Sequence, residues 1–458
     1  MKKKAIALVL VMVLGMLSAC GKGGAQNSSS TGQLASGSSD SASAGSDQGK
    51  IASGKKVKIV EWSQGEKVMK VKKEVGAKVF PNIDYEYVLV NNGDYVTKLQ
   101  AAIAAGTDVP DIITVEITSR GAIFALDILE NLEAAPYNYN RNELFPAVIP
   151  ALTNGRGQLV ALDNQFCPSG FAYNRAMTQK YFGVSEPDDV YKLVKDWNTF
   201  IQTGLTLKQK SGGTVNMMQG MFDLLELLSG QDVKNYINGD NVNVTNRYKA
   251  AIEMACKIRD AGVPLAKNEK NSTTWNSAYT NGSVMFFNHA SWSTNSCIAS
   301  NDPDKKTMGQ WGFCMAPGGG WMNGGTSVGI YKNSPNKEAA WEFTKYFLGT
   351  KEGYKNIYDR VGWIPSFKSF YEGDNAPING KFMYQDWFDG QNYTKYIYDN
   401  IGTGITPYEQ QTSHTTLVTN CFRDMSLQYL INPKMNAAEG LKYMKDQLVL
   451  QDPTLKIS

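Results

Sequence analysis

The chain has 458 residues, of which 42% are hydrophobic and 11% aromatic, with 46 Lys and Arg against 43 Asp and Glu. This length and apolar fraction suit a well-buried core and favour two domains over one. The formal net charge of +3 comes from Lys2, Lys3 and Lys4, so the rest of the chain is balanced. No basic stripe remains to neutralise phosphates, and nucleic acid is therefore not an expected partner.

The N-terminus has the pattern of an export signal. The three lysines precede an apolar run from Ala5 to Leu17, which is too short for a comfortable membrane span. This pattern predicts a signal peptide over residues 1–19. The run ends in Leu17-Ser18-Ala19-Cys20, which resembles the lipobox of bacterial lipoproteins, where the cysteine thiol is acylated and becomes the new N-terminus. We expect Cys20 to carry a lipid anchor; a plain signal peptide followed by a chance cysteine is the alternative.

A polar segment follows the predicted anchor. Residues 20–54 are rich in Gly, Ser, Ala, Asp and Gln, and Ile51 is the only large apolar residue after Leu34. Such a composition cannot bury a core and predicts a flexible linker. No later stretch approaches the roughly 18 consecutive apolar residues of a membrane helix. We therefore expect attachment to the cell membrane through lipid alone, with the body on the extracytoplasmic side.

The body opens with alternating strand and helix patterns. The segments are the strand 56–62, a helix on Val68, Val71, Val75 and Val79, the strand 83–90, a helix from Asp94 to Gly106 and the strand 111–117. This order predicts a parallel α/β sheet covered on both faces. Ligands of such sheets bind at the carboxyl ends of the strands. The candidate binding residues there are Trp62, Gln64, Glu66 and Lys67 after the first strand and Glu116 after the third.

Several blocks of the body together resemble extracellular solute-binding protein family 1. In chain order they are Val79–Ile83, Asp94–Ala102, Pro110–Ile113, Gly157–Leu162 with Tyr173–Arg175, Asn281–Met285 with Trp292, and Gly324–Gly325 through Ala340. The resemblance implies a two-lobed α/β, periplasmic-binding-protein-like fold with discontinuous lobes and a ligand cleft between them. We expect residues 55–162 plus 290–360 in lobe 1 and residues 163–289 plus 361–458 in lobe 2.

Three tryptophans and two polar residues are further ligand candidates. Trp292 follows an apolar strand, Trp321 lies in a segment too glycine-rich for a helix or strand interior, and Trp363 resembles a late crossing between lobes. Asp163 and Asn164 lie at the first crossing. An aromatic face suits the C–H surface of a sugar, and carboxylates or amides suit its hydroxyls. The alternatives are core packing for the rings and solvated loops for the polar groups.

The resemblance implies the receptor of an ABC importer that delivers a small-molecule solute, an oligosaccharide by expectation, to membrane permease subunits. We expect a monomer without cofactor or metal. A non-sugar solute and a sensor-coupled receptor of the same fold remain alternatives. An enzyme is less favoured, because the chain has two histidines and no hydrolase or nucleotide-binding motif, although a glycosidase needs only two carboxylates.

The remaining cysteines and one polar run give weaker signals. Cys167, Cys256, Cys297, Cys314 and Cys421 lack a CxxC spacing, which argues against a disulfide framework or a zinc site. We expect mostly buried thiols, and the spacing leaves a bridge between Cys297 and Cys314 open. Residues 238–241 lack the full calcium-loop spacing and predict a turn.

Overall fold

The computed structural model describes residues 56–401 and 405–458. The predicted signal peptide, the lipid-anchor residue Cys20 and the linker 20–54 lie outside the described residues.

Strands and helices alternate through most of the described chain. The strands are β1 (Val57–Ser63), β2 (Ile83–Leu89), β3 (Ile112–Glu116), β4 (Leu162–Gln165), β5 (Pro168–Asn174), β6 (Ile237–Asn238), β7 (Asn241–Val242), β8 (Phe286–His289), β9 (Trp311–Cys314), β10 (Trp321–Met322), β11 (Thr326–Ile330) and β12 (Lys456–Ile457). The α-helices are α1 (Glu66–Val79), α2 (Tyr95–Ala105), α3 (Arg120–Ala125), α4 (Ile149–Leu152), α5 (Arg175–Phe182), α6 (Pro187–Val194), α7 (Trp197–Lys210), α8 (Met221–Gln231), α9 (Val244–Asp260), α10 (Thr273–Asn281), α11 (Lys337–Gly349), α12 (Lys351–Val361), α13 (Tyr393–Ile401), α14 (Thr415–Ile431) and α15 (Ala437–Gln451).

The first sheet has the order β2-β1-β3-β11-β4. Its strands β2, β1 and β3 are parallel, as the alternating pattern predicts, and β11 is antiparallel to both β3 and β4. Thr118, two residues after the carboxyl end of β3, accepts from the Thr416 hydroxyl of α14 over 2.7 Å.

Local sequence explains where the first helices stop and start. Gly106 ends α2 in the left-handed conformation, with φ of 69°, which a residue without a Cβ adopts without strain. Asp94 occupies the N-cap position of α2, but its side chain makes no capping hydrogen bond. In α1, Val68 and Val71 are buried while Val79, at the last turn, is 40% exposed. The buried face that the four valines predict for α1 therefore ends one turn before the helix does.

A buried ion pair lies in the core of the first lobe. Glu61 of β1 and Lys72 of α1 are 3.1 Å apart and almost fully buried. Tyr85 and Thr114 donate their hydroxyl groups to the same carboxylate over 2.7 and 2.8 Å. Because every charged group here has partners, the pair is tolerated inside the sheet.

The second sheet is built around β5. Strand β8 pairs with β5, β9 pairs with it along residues 171–174, and β10 pairs with its first two residues. Alternate side chains of a strand point to opposite faces of its sheet. Phe171 and Phe286 accordingly belong to the core of the second lobe, while Ala172 and Phe287 belong to the core that includes the first lobe.

The second core is completed by the C-terminal helices α14 and α15, which pack with α8 and α9. Helix α15 begins with a capping box: Asn436 accepts from the N–H of Glu439 over 3.0 Å, and the Glu439 carboxylate accepts from the Asn436 N–H over 2.8 Å. Leu441, Met444 and Leu448 form the buried face of α15. The predicted turn at residues 238–241 joins β6 to β7.

The chain passes between the two sheets at residues 166–167, which link β4 to β5, and at residues 323–325, which link β10 to β11. Residues 405–414 then lead to α14 along the first lobe, where the Tyr408 N–H donates to Ala147 O over 2.9 Å. This fold confirms the predicted two-lobed α/β class. The predicted residue limits of the lobes stay a proposal.

None of the helices within residues 56–401 and 405–458 combines the length and apolar character needed to cross a membrane. Cys167, Cys256, Cys297, Cys314 and Cys421 are buried free thiols, so Cys297 and Cys314 form no bridge.

Candidate functional site

A cavity of about 790 Å³ lies where elements of both lobes meet. Its wall is formed by the carboxyl end of β3, one side of α8, the passage after β10, residues 407–411 and the first part of α14. A cavity of this size holds a drug-sized or short oligomeric solute.

Glu116 is the predicted residue at the carboxyl end of β3, and it lines the cavity. Its side chain is half-buried and accepts a hydrogen bond from Asn92 Nδ2 over 2.7 Å and one from the Thr118 hydroxyl. These two donors hold the carboxylate in one orientation. The first lobe thus offers the cavity a positioned acceptor.

Trp292 also lines the cavity and keeps part of its ring exposed. Its indole Nε1–H donates to Asn323 O over 2.9 Å, which fixes the plane of the ring. A fixed, half-exposed indole is a suitable surface for an apolar face of a ligand.

Trp321 lines the cavity from a different environment than the sequence predicts. It lies within strand β10, opposite Ser169, and is 1% exposed. The prediction that this glycine-rich segment excludes Trp321 from a strand interior is therefore wrong. Close packing is possible because Gly230 of α8 presents no side chain to the indole. Trp321 is a buried part of the wall, and its Nε1–H has no hydrogen-bond partner.

The four predicted residues after β1 lie outside the cavity wall: Trp62, Gln64, Glu66 and Lys67. Trp62 packs edge-on against the Tyr95 ring, with 6.3 Å between centroids. Glu66 pairs with Lys70 over 2.9 Å on the surface of α1, and Lys67 donates to the Asn295 side chain. The side chains after β1 thus take part in contacts outside this cavity wall, although β1 and β3 are parallel neighbours.

Asp163 and Asn164 lie outside the cavity wall as well, buried beside the first passage between the sheets. Burial raises the pKa of Asp163 to about 7, against the opposing influence of Arg120. Asn164 donates its side-chain amide to Thr326 Oγ1 over 3.3 Å. Both side chains therefore sit within the junction of the lobes.

Trp363 is half-buried and packs against the core that includes the first lobe. It also lies outside the cavity wall. Of the three tryptophans predicted from the sequence, the structure brings Trp292 and Trp321 together at the cavity and leaves Trp363 apart.

The cavity residues that were not predicted from the sequence include Phe222 and Glu226 on α8 and Lys270 after α9. Lys270 Nζ lies 2.6 Å from Glu226 Oε1 and 5.0 Å from the centre of the Phe222 ring. Glu226 interrupts the leucine run of residues 224–228 one turn after Phe222, and this interruption is the signal that sequence reading could have used.

Two carboxyl groups of α8, Glu226 and Asp223, affect the pKa of Lys270. Burial lowers the pKa of Lys270, but Glu226 and Asp223 outweigh burial and raise it above its usual value. Burial raises the pKa of the Asp223 carboxyl to about 7. Trp275 donates its indole N–H to Asp223 Oδ1 over 3.3 Å, and Oδ2 has no hydrogen-bond partner. The buried Asp223 carboxyl behind the cavity wall is therefore partly protonated near pH 7.

A second ion pair joins α9 to residues 405–414 at the wall. Arg247 contacts the Glu409 carboxylate at 3.0 Å, donates to Ser229 O over 2.8 Å and stacks on Tyr248 at 4.8 Å. Burial raises the pKa of Glu409. Arg247 therefore connects the second lobe with the segment that runs along the first.

The arrangement is suited to binding polar solutes. Partly exposed rings and fixed carboxylate and amide groups share one cavity, and both kinds of group contact a polyhydroxylated ligand. Among the described residues, no group of three or more His, Cys, Asp or Glu side chains converges to hold a metal ion.

Comparison with solved structures identifies the same fold in sugar-binding proteins. A crystal structure of an extracellular solute-binding protein of family 1 superimposes with a TM-score of 0.73 at 17% identity, covering 86% of this chain and 98% of the other. The galacto-N-biose-/lacto-N-biose I-binding protein of the ABC transporter from Bifidobacterium longum, in complex with lacto-N-biose, gives 0.68 at 17% identity, covering 88% and 100%. The sugar-binding protein MalE from Xanthomonas citri gives 0.68 at 16% identity, covering 86% and 98%. At these identities the likeness shows the fold alone.

No curated relative matches the sequence. The chain does match the family described as bacterial extracellular solute-binding protein over residues 70–383, which is more than half of its length. This match confirms the family predicted from the sequence blocks. The chain belongs to the bacterial extracellular solute-binding protein family.

Proposed function

We propose that this protein is a lipid-anchored, monomeric receptor of an ABC importer, which captures an oligosaccharide in the cavity between its lobes and delivers it to membrane permease subunits. The observation that carries the proposal is the half-exposed Trp292 ring beside the Glu226 carboxylate in one interlobe cavity. Asn323 links the two, because its O accepts from Trp292 Nε1 over 2.9 Å and its Nδ2 donates to Glu226 over 3.4 Å.

This pairing favours a carbohydrate over a purely apolar solute. A sugar has C–H faces that stack on an aromatic ring, and its neighbouring hydroxyl groups donate to carboxylate oxygens. Phe222 and Trp292 supply rings, and Glu116 and Glu226 supply acceptors from opposite lobes. The sugar-binding proteins with the same fold support this assignment.

The anchoring part of the proposal rests on the first residues of the chain. Lys2 to Lys4, the apolar run and Cys20 match the pattern of a lipoprotein signal, and this pattern supports the proposed anchor. Acyl chains contribute about 0.8 kcal/mol for each buried methylene, so two or more hold a protein firmly on a membrane. Attachment to the extracytoplasmic side agrees with membership of an extracellular family.

Delivery to a permease requires a conformational signal. A ligand that contacts both lobes favours the closed arrangement, and the closed arrangement is what a permease can distinguish from the free receptor. Glu116 of the first lobe and Glu226 of the second lobe face the same cavity and can contact one ligand together.

The test is a ligand screen by thermal unfolding with a panel of oligosaccharides, amino acids and short peptides, followed by calorimetry. A ligand at 100 times its dissociation constant stabilises the folded protein by about 2.7 kcal/mol. We expect at least one oligosaccharide to raise the melting temperature without being consumed. Stabilisation by amino acids or peptides alone would assign a non-sugar solute, and cleavage of a glycan would identify an enzyme.

A further inference from the structure

A second, smaller cavity lies beside the main one. It has a volume of about 320 Å³ and is formed by residues 234–238, which lead into and include β6, together with Glu409, Gln410 and Thr412. Glu409 lines both cavities, and its ion-pair partner Arg247 lines the main one. The Arg247–Glu409 pair therefore lies where the two cavities approach each other.

Two buried oxygen atoms in the wall of the second cavity lack a partner. Within the part of the chain that the structure describes, the Tyr236 hydroxyl and Glu409 Oε1 make no hydrogen bond. Tyr236 is 6% exposed and the Glu409 side chain 16%. Burial raises the pKa of the Glu409 carboxyl, whereas Arg247 and Tyr236 lower it, so the hydroxyl and the carboxyl are close neighbours. Leaving such groups unpaired costs free energy, and a ligand that bonds to both removes this cost.

The Tyr236 side of the second cavity is fixed by the second lobe. The Asn243 N–H donates to Tyr236 O over 2.8 Å, and the Tyr236 ring packs edge-on against the Tyr248 ring with 5.9 Å between centroids. The Arg247 guanidinium lies 5.8 Å from the centre of the Tyr236 ring. These contacts hold the ring in place and leave its hydroxyl without a bond.

The opposite wall comes from the segment that begins at Glu409. Arg247 Nε donates to Glu409 Oε2 over 3.0 Å, so the carboxylate is held by one oxygen and Oε1 is free to accept. Gln410 Nε2 donates to Asn154 O over 3.2 Å, which ties the next residue to the first lobe. Both walls are thus in place without a ligand, and binding requires little further ordering of the protein.

The charged groups of the second cavity already have partners. Lys234 Nζ lies 2.7 Å from Asp232 Oδ2, and Glu409 pairs with Arg247. An anionic or cationic ligand would compete with a partner that is already bound, whereas a neutral polar ligand would not. The charge arrangement therefore favours a neutral ligand.

A hydroxyl group matches the two unpaired oxygen atoms. It can donate its hydrogen to Glu409 Oε1 and accept a hydrogen bond from the Tyr236 hydroxyl at the same time. Asn235 and Asn238 are exposed residues of the same cavity, and their amides can donate to and accept from further hydroxyl groups. A ligand with several neighbouring hydroxyl groups is therefore well matched.

From this geometry we infer that the second cavity is a separate binding site for a neutral, polyhydroxylated solute of about the size of one sugar ring, held by Tyr236 and Glu409. Its volume is at the lower end of the roughly 300–1,000 Å³ that ligand pockets span, so it suits a single ring rather than a chain. The inference goes beyond the proposed function, in which an oligosaccharide occupies the main cavity, and does not depend on it.

The experiment titrates the full-length protein with small probes and follows binding by saturation-transfer difference NMR. Glucose, galactose and myo-inositol are the neutral probes, and glucuronate and glucosamine are the charged ones. We expect at least one neutral probe to bind in the millimolar range. Tyr236→Phe, which removes only the unpaired hydroxyl, should weaken this binding by about 2- to 12-fold, the usual effect of one neutral hydrogen bond. Asn238→Ala, a change at an exposed residue of the same cavity, should weaken it as well.

Two further variants show which cavity the probe occupies. Tyr173→Phe removes a hydroxyl outside both cavity walls and should leave binding as in the parent protein. Trp292→Ala changes the main cavity and should also leave binding of the small probe unchanged. Weaker binding in Trp292→Ala but not in Tyr236→Phe would place the probe in the main cavity and overturn the proposal. Binding of the charged probes alone, or of none of the five, would overturn it too.

Thermal unfolding without any probe gives an independent readout. The Tyr173 hydroxyl donates to Ser185 O over 2.7 Å, so Tyr173→Phe should lower the melting temperature. Tyr236→Phe removes a buried hydroxyl that has no partner and should not lower it. An equal loss in both variants would show that the Tyr236 hydroxyl is already bonded within the protein and would contradict the site. A failure of every oligosaccharide to bind would refute the proposed function without affecting these measurements.

Discussion

The ammonium group of Lys270 lies 2.6 Å from the carboxylate of Glu226 at the wall of the cavity, and the two side chains are 24% and 23% exposed. Partial burial makes this pair stronger than an ordinary surface ion pair and makes its disruption more costly. The Phe222 ring beneath Lys270 further excludes water from the pair.

Glu226→Gln is therefore expected to destabilise the protein by about 1–2 kcal/mol, because it leaves a partly buried ammonium group without its counter-charge. Chemical denaturation at pH 7 measures the loss. Asp446→Asn is the control, since its pair with Lys442 is on the surface, with side chains 58% and 75% exposed. If Glu226→Gln loses no more stability than Asp446→Asn, the pair of Glu226 and Lys270 has no structural role.

Asp223→Asn is expected to change how stability depends on pH. Burial raises the pKa of Asp223 in the folded protein to about 7, above its value of 3.8 in an exposed setting. The folded state therefore holds a proton that the unfolded state releases, so this contribution is complete below about pH 4 and is lost as pH rises to 7. The change is about 1.4 kcal/mol for each pH unit in that window.

The Asp223→Asn variant should gain stability relative to the parent protein as pH rises from about 4 to 7, and the difference should level off above that range. Urea unfolding at a series of pH values gives this difference directly. Asp163→Asn provides a second case, because burial raises the pKa of Asp163 to about 7 as well. A difference in stability that does not vary with pH would show that the Asp223 carboxyl is ionised throughout.

Trp292→Ala is expected to weaken binding of the sugar found in the screen by about 2 kcal/mol, or roughly 30-fold, because it removes the stacking surface. Trp363→Ala is a suitable comparison, since Trp363 is half-buried in a core outside the cavity wall. It should lower the melting temperature and leave the affinity almost unchanged. The opposite result, weaker binding only in Trp363→Ala, would place the sugar elsewhere.

Cys20→Ser is expected to abolish lipid attachment, because serine lacks the thiol that is acylated. Cell fractionation and labelling with a radioactive fatty acid test this. The variant should be recovered either as released protein or as an uncleaved precursor. Signal-cleaved Cys20→Ser protein that stays fully in the membrane fraction would rule out the lipoprotein assignment.

Binding of the same sugar should reduce the radius of gyration measured by solution X-ray scattering, because a ligand that contacts Glu116 and Glu226 draws the two lobes together. The measurement compares the protein with and without saturating sugar. An identical scattering profile in both conditions would argue against closure of the lobes.

Local patterns in the sequence determined much of the first lobe and the start of the last helix. The strand and helix order from β1 to β3 follows from apolar periodicity, and Gly106 and the Asn436–Glu439 capping box mark helix ends that depend on neighbouring residues only. The family blocks likewise identified the two-lobed class. Such features are short-range, and a single sequence is sufficient to read them.

The cavity depended on contacts between distant segments. Lys270 and Glu226 are 44 positions apart, and Trp292 and Asn323 are 31 apart. Periodicity does not indicate which loop ends face one another, so the sequence could not show that the end of β3 lines this cavity whereas the residues after β1 do not. Trp321 shows the same limit, because its burial depends on Gly230 in a helix that precedes it by 91 positions. The sequence alone determined the fold class and its family, whereas tertiary packing decided which side chains share a cavity, since long-range contacts set that geometry.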